Sequence, residues 1–387
     1  MNVLHQQLWP GLLLLPLSAG LLSAQTRTLR IVNYNLEADI NGVTAPRPGL
    51  IAPPGNPTEY RSGGVLEGIG EELVNGHAQP VDILALEETT SNPQTVGPIV
   101  SGMNAFYGVA GMYSNSNYQA TEAGGNPGDG NGPNALVFNT HTVQLLASTP
   151  VDPKGGEAKL GASSGEYREV VRYQFAPAGV AAAASNIFYV YVSHAKSGST
   201  SVDAANRASE AQVIRTNEAI DLPANARVLY VGDFNLATSG DASYQTLLAA
   251  ESPSGVAQGG GIDLANTNGS QNINWGKSTT ATNILAVETE HSYALEFRDD
   301  LQLMTTNVFY GAAGGLRYLP GTGHIFGNNG TTVYAGSVNQ GTNTALIKRL
   351  VTNGPVFITA AQLYLDLTNA SDHLPVVADY NIPVPAR

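Results

Sequence analysis

Several polar residues stand where apolar, strand-like segments of the sequence end or begin. Asn35, Glu88, His194 and Asp233 each follow such a segment, and His373 precedes one. Carboxylate and amide oxygens are the ligands that Mg²⁺, Mn²⁺ and Ca²⁺ prefer, and histidine exchanges protons near neutral pH. Such a set suits the hydrolysis of a phosphate ester, which needs a cation to neutralise the phosphoryl oxygens and a base to activate water.

Taken singly, most of these residues also have an ordinary structural explanation. Asn35 suits a turn, and the segment Gly232 to Asn235 suits an Asx turn. His194 alone is typical of a half-buried structural histidine. Glu88 is less ordinary, because a carboxylate beside a buried strand is costly unless it is paired or bound to metal. The proposed chemistry therefore requires that the fold bring these groups together.

The surrounding segments predict a fold of helices layered against sheets. Apolar alternation or continuity predicts strands at 28–35, 81–86, 134–138, 167–175, 186–193 and 227–232. Helical spacing of small and apolar residues predicts helices at 64–76 and 203–220. Strands interleaved with helices favour helix packed on sheet, and strand ends at one edge of a sheet can bring distant polar groups together.

The charge balance argues against broad capture of nucleic acid. The chain has 18 basic and 31 acidic residues and a net charge of −13. Nucleic-acid-binding proteins usually carry a basic surface, whereas an acidic one favours divalent cations. There is no cysteine, so disulfides cannot contribute to stability.

The N-terminal segment predicts export. Gly11 to Leu22 is a Leu-rich apolar run, and Ser23 to Gln25 offers a small-residue cleavage site. We therefore expect residues 1–24 to be a signal peptide and the mature protein to be secreted or periplasmic. No later segment approaches the ~20 apolar residues of a transmembrane helix.

Seven short motifs carry a resemblance to a known group of enzymes. In chain order they are N-Y-N-L, D-I-L-A-L-E-E-T, Y-R-E-V-V-R-Y, V-S-H-A-K-S, V-G-D-F-N-L, R-D-D-L-Q-L and S-D-H-L-P-V. The chain resembles the endonuclease/exonuclease/phosphatase superfamily, which includes deoxyribonuclease I, abasic-site endonucleases, bacterial sphingomyelinases and inositol-phosphate phosphatases. The resemblance implies a four-layer α/β sandwich, two mixed β-sheets packed between helices, formed by residues 25–387 as one catalytic domain.

The resemblance also implies a metal site and a set of acid–base residues. Glu88 matches the metal-binding carboxylate of the family, Asn35 matches an asparagine that helps to hold metal or phosphate, and Asp372 matches a carboxylate near the metal. We assign all three to the metal site, with Mg²⁺ as the first expectation and Mn²⁺ or Ca²⁺ as alternatives. His373 matches a general base or transition-state stabiliser. Asp300 matches the acid that holds the other nitrogen of that histidine.

The remaining matched residues belong to the substrate phosphate and its water. Asp233 matches an acid that polarises the nucleophile, and Asn235 matches a phosphate ligand. His194 matches the second histidine of the deoxyribonuclease I branch, where abasic-site endonucleases have asparagine. Arg168 could clamp phosphate bidentately. Lys196 could reach a phosphate or be a solvated loop lysine.

Some positions depart from the family or stay open. The acid that orients the second histidine is not found in place, and Asp129 lies a few residues too early for it. The segment from Tyr318 to Val338, which includes His324, could overhang the site or be an inert surface loop. His291 is more typical of a structural histidine.

These observations lead to one main expectation for function and two alternatives. We expect a secreted divalent-metal-dependent phosphoesterase, with an extracellular nuclease as the leading substrate assignment and a monomeric protein. One alternative is a phosphodiesterase or phosphatase for phospholipids or small molecules. The other, of a different class, is a binding module that keeps the scaffold without turnover.

Overall fold

The structure is a computed structural model of the protein. It describes residues 25–38, 62–118, 132–151, 169–249, 260–264, 288–290, 297–311, 314–329, 338, 350 and 359–384. Within them are two mixed β-sheets and several helices. None of the described helices is long and apolar enough to cross a bilayer.

The first sheet is built around the parallel pair of its central strands. Its strands are β1 (Gln25–Asn35), β2 (Ile83–Glu87), β3 (Tyr113–Asn115), β4 (Ala135–Asn139), β11 (Arg317–Tyr318), β12 (His324–Ile325) and β13 (Val376–Val384). The order is β11-β13-β1-β2-β4-β3, with β12 also paired to β13. β1 and β2 are parallel, and β13 runs antiparallel to β1.

The second sheet repeats this plan. Its strands are β5 (Val143–Pro150), β6 (Val171–Pro177), β7 (Phe188–His194), β8 (Val228–Asp233), β9 (Gly261–Asp263) and β10 (Asp300–Thr305). The order is β5-β6-β7-β8-β10-β9. β7 and β8 are parallel, and β10 runs antiparallel to β8.

Helices cover the sheets, as expected for an α/β sandwich. They are α1 (Ser62–Glu71), α2 (Gly97–Tyr107), α3 (Ser201–Asp221), α4 (Ala242–Leu248), α5 (Thr306–Phe309) and α6 (Ala360–Asn369), with a short π-helical turn at Asn92–Val96. Apolar residues of α1, α2 and α6 share one core with the first sheet. Those of α3 and α4 form a second core with β7, β8 and β10. The predicted fold class is thereby confirmed.

Side-chain alternation gives the second sheet two distinct faces. On β8, Leu229 and Val231 belong to the core shared with the first sheet. Val228 and Tyr230 belong to the core shared with α3 and α4. Because successive strand residues point to opposite faces, Asp233 lies on the same side as Leu229 and Val231 and faces the first sheet.

The predicted strands correspond to β1, β2, β4, β6, β7 and β8, and the predicted helices to α1 and α3. The largest difference is at α1, which was expected to run to residue 76 and instead ends at Glu71. Asn75 and Gly76 have positive φ angles of 52° and 82° and form a turn bonded between Val74 and His77. Such left-handed backbone ends a helix and cannot continue it.

Candidate active site

Strand register aligns the polar residues at one end of both sheets. In the second sheet His194 of β7 pairs with Asp233 of β8, and Asp233 pairs in turn with Asp300 of β10. In the first sheet Asn35 of β1 pairs with Glu87 of β2. Parallel neighbours end at the same edge, and an antiparallel neighbour begins there. The expectation that distant strand ends meet is therefore met by the topology.

Three contacts of the site join one sheet to the other. The amide Nδ2 of Asn35 donates to Asp233 Oδ2 at 3.0 Å. His194 Nε2 lies 3.5 Å from Glu88 Oε1. His373 Nδ1 lies 2.6 Å from Asp300 Oδ2. The site therefore lies across the interface between the sheets, and its geometry depends on how the sheets are spaced.

Asp233 is at the centre of this arrangement and is almost completely buried. Its Oδ2 accepts the Asn35 hydrogen bond and lies 3.3 Å from His194 Nε2 and 3.9 Å from His373 Nε2. Its Oδ1 accepts the backbone N–H of Asn235 at 2.9 Å. Asp233 thus has one oxygen fixed by its own turn and the other directed at both histidines.

Local backbone geometry shapes the ends of β2 and β8. Glu88 and Asn235 have positive φ angles of 50° and 49°, a region that few residues other than glycine occupy. Gly232 has a φ of 132°, and a Cβ there would stand 1.9 Å from the Ser193 carbonyl oxygen. Only glycine lets β7 and β8 approach closely enough at this point to place His194 beside Asp233.

The His373–Asp300 pair has the clearest electrostatic signature of the site. Burial lowers the pKa of the His373 imidazole, but the Asp300, Asp372 and Asp233 carboxylates outweigh burial and hold that pKa well above its usual range. Asp300 occupies Nδ1, so Nε2 is the nitrogen that faces Asp233. The expectation that Asp300, not Asp372, orients the ring agrees with these distances, since Asp372 Oδ1 lies 3.7 Å from Nε2.

Three residues near the site were missed by sequence reasoning. Glu87 is fully buried and neither of its carboxyl oxygens has a hydrogen-bond partner among the described residues. Burial, then Asp300 and Asp233, raise the pKa of its carboxyl well above the usual range. Burial, then Asp233 and Glu290, do the same to the pKa of Asp299. In both residues, burial and the neighbouring carboxylates favour the protonated form of the carboxyl. The only feature of the sequence that points to these two residues is that each is the first of two adjacent acids, in E-E and in R-D-D.

Ser371 is the third missed residue, and it links the two ends of the chain. Its hydroxyl donates to the carbonyl of Asn35 at 2.7 Å and accepts the backbone N–H of His373 at 3.1 Å. It therefore fixes the His373 segment to the end of β1. A serine hydroxyl often accepts the backbone N–H two residues later in a turn, and the S-D-H motif contains such a serine.

Glu88, His194 and Asp233 form the one group of acids and histidines among the described residues whose ligand atoms lie within 4.8 Å of one another. The two contacts to His194 Nε2, at 3.3 and 3.5 Å, approach the spacing of about 3 Å between neighbouring ligands in an octahedral shell of 2.1 Å bonds. The two carboxylates supply the hard oxygens that Mg²⁺ and Mn²⁺ prefer and are compatible with the expected divalent cation, whereas the imidazole is a ligand more typical of zinc and other late transition metals.

The other two expected metal ligands lie beside this group. Asn35 Oδ1 accepts the backbone N–H of Glu37 at 3.0 Å, so its amide is held on both sides. The Asp372 side chain is 32% exposed and lies at the rim, next to His373. Their roles as metal ligands remain predictions.

The expected phosphate ligands are less clearly placed. The Asn235 amide donates to the Ala195 carbonyl at 3.0 Å and so fixes the loop after β7. The Lys196 ammonium donates to the Ser197 carbonyl and lies 3.6 Å from Asp203 Oδ1, near the N-terminus of α3. Arg168, Asp129 and His291 lie outside the described residues. Phosphate binding by Asn235, Arg168 and Lys196 remains a prediction.

His324 has a structural role in the described part of its segment. Its Nδ1 contacts the Thr322 carbonyl at 2.7 Å and its Nε2 contacts Glu72 Oε2 at 2.6 Å. The next residues, Ile325 and Phe326, are buried in the core. The start of this segment therefore packs on the sheet through β12, and residues 330–337 lie outside the described part.

No family model matches the chain, and no curated protein matches it. Similar solved structures include the catalytic domain of human Nocturnin with a bound sulfate anion, with 14% identity and a TM-score of 0.49, covering 92% of this chain and 96% of that one. An endonuclease/exonuclease/phosphatase from Bacteroides vulgatus has 14% identity and a TM-score of 0.46, covering 92% and 98%. TDP2 of D. rerio, complexed with single strand DNA product, has 13% identity and a TM-score of 0.47, covering 91% and 98%. The likeness is one of fold.

Proposed function

We propose that the protein is a divalent-metal-dependent hydrolase of phosphoric esters and a member of the endonuclease/exonuclease/phosphatase superfamily. The observation that supports this most strongly is that two sets of residues meet at Asp233. On one side stand Glu88 and His194, and on the other stands the His373–Asp300 pair. The first group suits a cation and the second suits proton transfer, and hydrolysis of a phosphate ester needs both.

Each residue has a definite task in this proposal. Glu88, Asp233 and His194 would hold the cation, which would supply charge to neutralise the phosphoryl oxygens and would lower the pKa of water. In this proposal Asp233 and His194 lie at the cation, whereas the resemblance implied roles for them at the water and the substrate phosphate. His373, fixed through Nδ1 by Asp300, takes the proton of the attacking water at Nε2 in its neutral form, or donates to a phosphoryl oxygen in its charged form. Asn35 holds Asp233 in place by its amide hydrogen bond.

The finer proposal is a secreted nuclease acting as a monomer. It is supported by the Leu-rich N-terminal segment and by His194, which the resemblance associates with the deoxyribonuclease I branch. With a net charge of −13, any polyanionic substrate is expected to bind through local contacts. A phospholipid or small-molecule phosphodiesterase has the same central chemistry and differs in substrate alone.

A substrate panel tests both levels of the proposal. The panel comprises bis-p-nitrophenyl phosphate, plasmid DNA, single-stranded DNA, RNA, sphingomyelin and phosphoinositides, each with Mg²⁺, Mn²⁺ or Ca²⁺. We expect metal-dependent turnover of at least one diester and its loss in His373→Ala. Turnover confined to lipids or small esters would exclude the nuclease. Metal binding without turnover of any member would favour a binding module, and turnover unchanged in His373→Ala would contradict the mechanism.

A further inference from the structure

Gln302 is a buried polar residue in the apolar interface between the sheets. It lies on β10, two residues after Asp300, and is 1% exposed. By strand alternation its side chain faces the first sheet together with Asp300 and Met304, whereas Leu301 and Leu303 pack against α3 and α4. An unpaired amide in such an environment would cost stability, so its hydrogen bonds define its role.

The Gln302 amide connects β10 to two strands of the first sheet. Its Nε2 donates to the Ile31 carbonyl of β1 at 3.0 Å and to the Val376 carbonyl of β13 at 2.9 Å. Its Oε1 accepts the Tyr380 hydroxyl of β13 at 3.1 Å. Both amide hydrogens are therefore used, and both are used across the interface.

These bonds lie directly beneath the inter-sheet contacts of the site. Ile31 is four residues before Asn35 on β1, Val376 is three residues after His373, and Gln302 is two residues after Asp300. A planar amide with two fixed donors allows less sliding between the sheets than apolar side chains, which have no directional contacts. The distances Asn35–Asp233, Glu88–His194 and His373–Asp300 all depend on that same spacing.

We propose that Gln302 is a positioning residue that fixes the spacing of the two sheets at the active site. It touches neither substrate nor cation and acts through the three inter-sheet contacts. The inference rests on the proposed function for its effect on catalysis. Its effect on metal affinity follows from the geometry alone, because Glu88 belongs to one sheet and His194 and Asp233 to the other.

Gln302→Met is the principal test, since methionine has a similar length and no amide. We expect kcat to fall about 10- to 100-fold with KM little changed, because small misplacement of catalytic groups is costly. We also expect the dissociation constant of Mn²⁺, measured by calorimetric titration, to be higher than in the wild type. Gln302→Glu keeps the acceptor for Tyr380 and loses the two donors. It should show the same losses and serves as the test if Gln302→Met does not fold.

Two single variants and one double variant separate positioning from general stability. Tyr380→Phe removes only the hydroxyl bond and should keep kcat. In Gln302→Met the Tyr380 hydroxyl loses the amide oxygen that accepts its hydrogen bond. The double variant with Tyr380→Phe removes that hydroxyl, so its melting temperature should be higher than that of Gln302→Met while its kcat stays low. Leu303→Ala destabilises the opposite face of β10 and should lower the melting temperature. At temperatures below the unfolding transition its kcat should equal that of the wild type.

Wild-type kcat and Mn²⁺ affinity in Gln302→Met, or in Gln302→Glu if the former does not fold, would overturn the inference. So would recovery of kcat in the double variant, or an equal loss of kcat in Leu303→Ala. If the wild type binds Mn²⁺ but hydrolyses no phosphoester, the proposed function fails. The inference is then decided by the Mn²⁺ affinities of the variants and the wild type.

Discussion

His373 Nδ1 lies 2.6 Å from Asp300 Oδ2, and this contact connects the segment before β13 of the first sheet to the first residue of β10 in the second. The histidine is therefore oriented by the opposite sheet and not by its neighbour Asp372. Because Asp300 also raises the pKa of His373, the pair sets both the direction and the charge of the imidazole. Asp233 Oδ2 lies 3.9 Å from the other ring nitrogen, Nε2, and 3.3 Å from His194 Nε2.

The first prediction concerns the pH dependence of activity. As a base, His373 must be neutral, so kcat/KM should rise with pH through its raised pKa. Asp300→Asn removes the charge that raises this pKa, so the rise should move to lower pH while kcat falls. Profiles of kcat/KM and of kcat from pH 5 to 9 measure the two effects. His373→Ala should remove the rise and about 10²- to 10⁴-fold of the rate.

An acidic limb at the same pH in wild type and Asp300→Asn would show that this histidine does not govern the profile. Equal kcat in the two proteins would show that Asp300 does not orient it.

The second prediction concerns metal affinity. Glu88→Gln keeps the size of the side chain and removes one of the two negative charges next to His194. We expect the dissociation constant of Mn²⁺ to rise by about 100-fold or more, since even indirect contacts to a metal site are worth about 10- to 100-fold. Calorimetric titration measures it, and the metal-induced rise in melting temperature should shrink in parallel.

Asp221→Asn is the matched control, because Asp221 ends α3 and pairs with Arg172 at 3.2 Å. It should bind Mn²⁺ like the wild type. Equal loss of affinity in both variants would indicate general attraction by an acidic surface in place of a specific site.

The third prediction concerns the approach of β7 to β8. In Gly232→Ala the new methyl group would overlap the Ser193 carbonyl and the backbone would be strained at a φ of 132°. We expect a loss of stability of at least about 1–3 kcal/mol and a loss of activity larger than the unfolded fraction explains. Denaturant unfolding and kcat under native conditions measure the two effects.

Gly240→Ala provides the comparison, since Gly240 is exposed and, among the described residues, its added Cβ would meet only the Thr238 hydroxyl, at 3.3 Å. It should be near neutral. A Gly232→Ala protein with normal stability and rate would refute the close approach.

The fourth prediction concerns stability against pH. Burial, then Glu71 and Asp366, raise the pKa of Glu67 to about 8, and burial raises the pKa of Glu71 to about 7. Both values lie above the ordinary glutamate value, so the folded protein holds more protons than the unfolded chain between about pH 4.5 and 8. Stability from these groups therefore falls as pH rises through that window.

Glu67→Gln removes the most strongly shifted of these two groups. Relative to the wild type, its melting temperature should be a few degrees higher at pH 8 and nearly unchanged at pH 5. A difference between the two proteins that is constant from pH 5 to 8 would show that Glu67 ionises normally in the folded state.

Much of the site could be predicted from sequence because strand parity and strand ends are local properties. Residues 229 and 231 are apolar and lie two and four positions before 233, and residues 190 and 192 stand in the same relation to 194. Asp233 and His194 therefore lie on the same face of their strands as these apolar residues. The motif order then indicated that these strands lie together. For the same reason the positions of β1, β7 and β8 were predicted, although β1 begins at Gln25, before the predicted start at 28, and the bounds of the other two strands are shifted by one or two residues.

The rest depended on contacts between residues distant in the chain. Nothing local shows that Glu87, and not only Glu88, is buried between the sheets, or that the Gln302 amide reaches β1 and β13. The end of α1 was misjudged because Asn75 and Gly76 form a turn of their own. The sequence left two roles open for Lys196, a phosphate contact or a solvated loop position, and did not predict its contact with Asp203.

The most direct test of the account is the initial rate of bis-p-nitrophenyl phosphate hydrolysis by the purified protein with and without a divalent cation. We expect no measurable rate after treatment with EDTA and recovery of the full rate when Mg²⁺ or Mn²⁺ is restored. The same rate before and after removal of the cation would contradict a metal site at Glu88, His194 and Asp233 as the basis of catalysis.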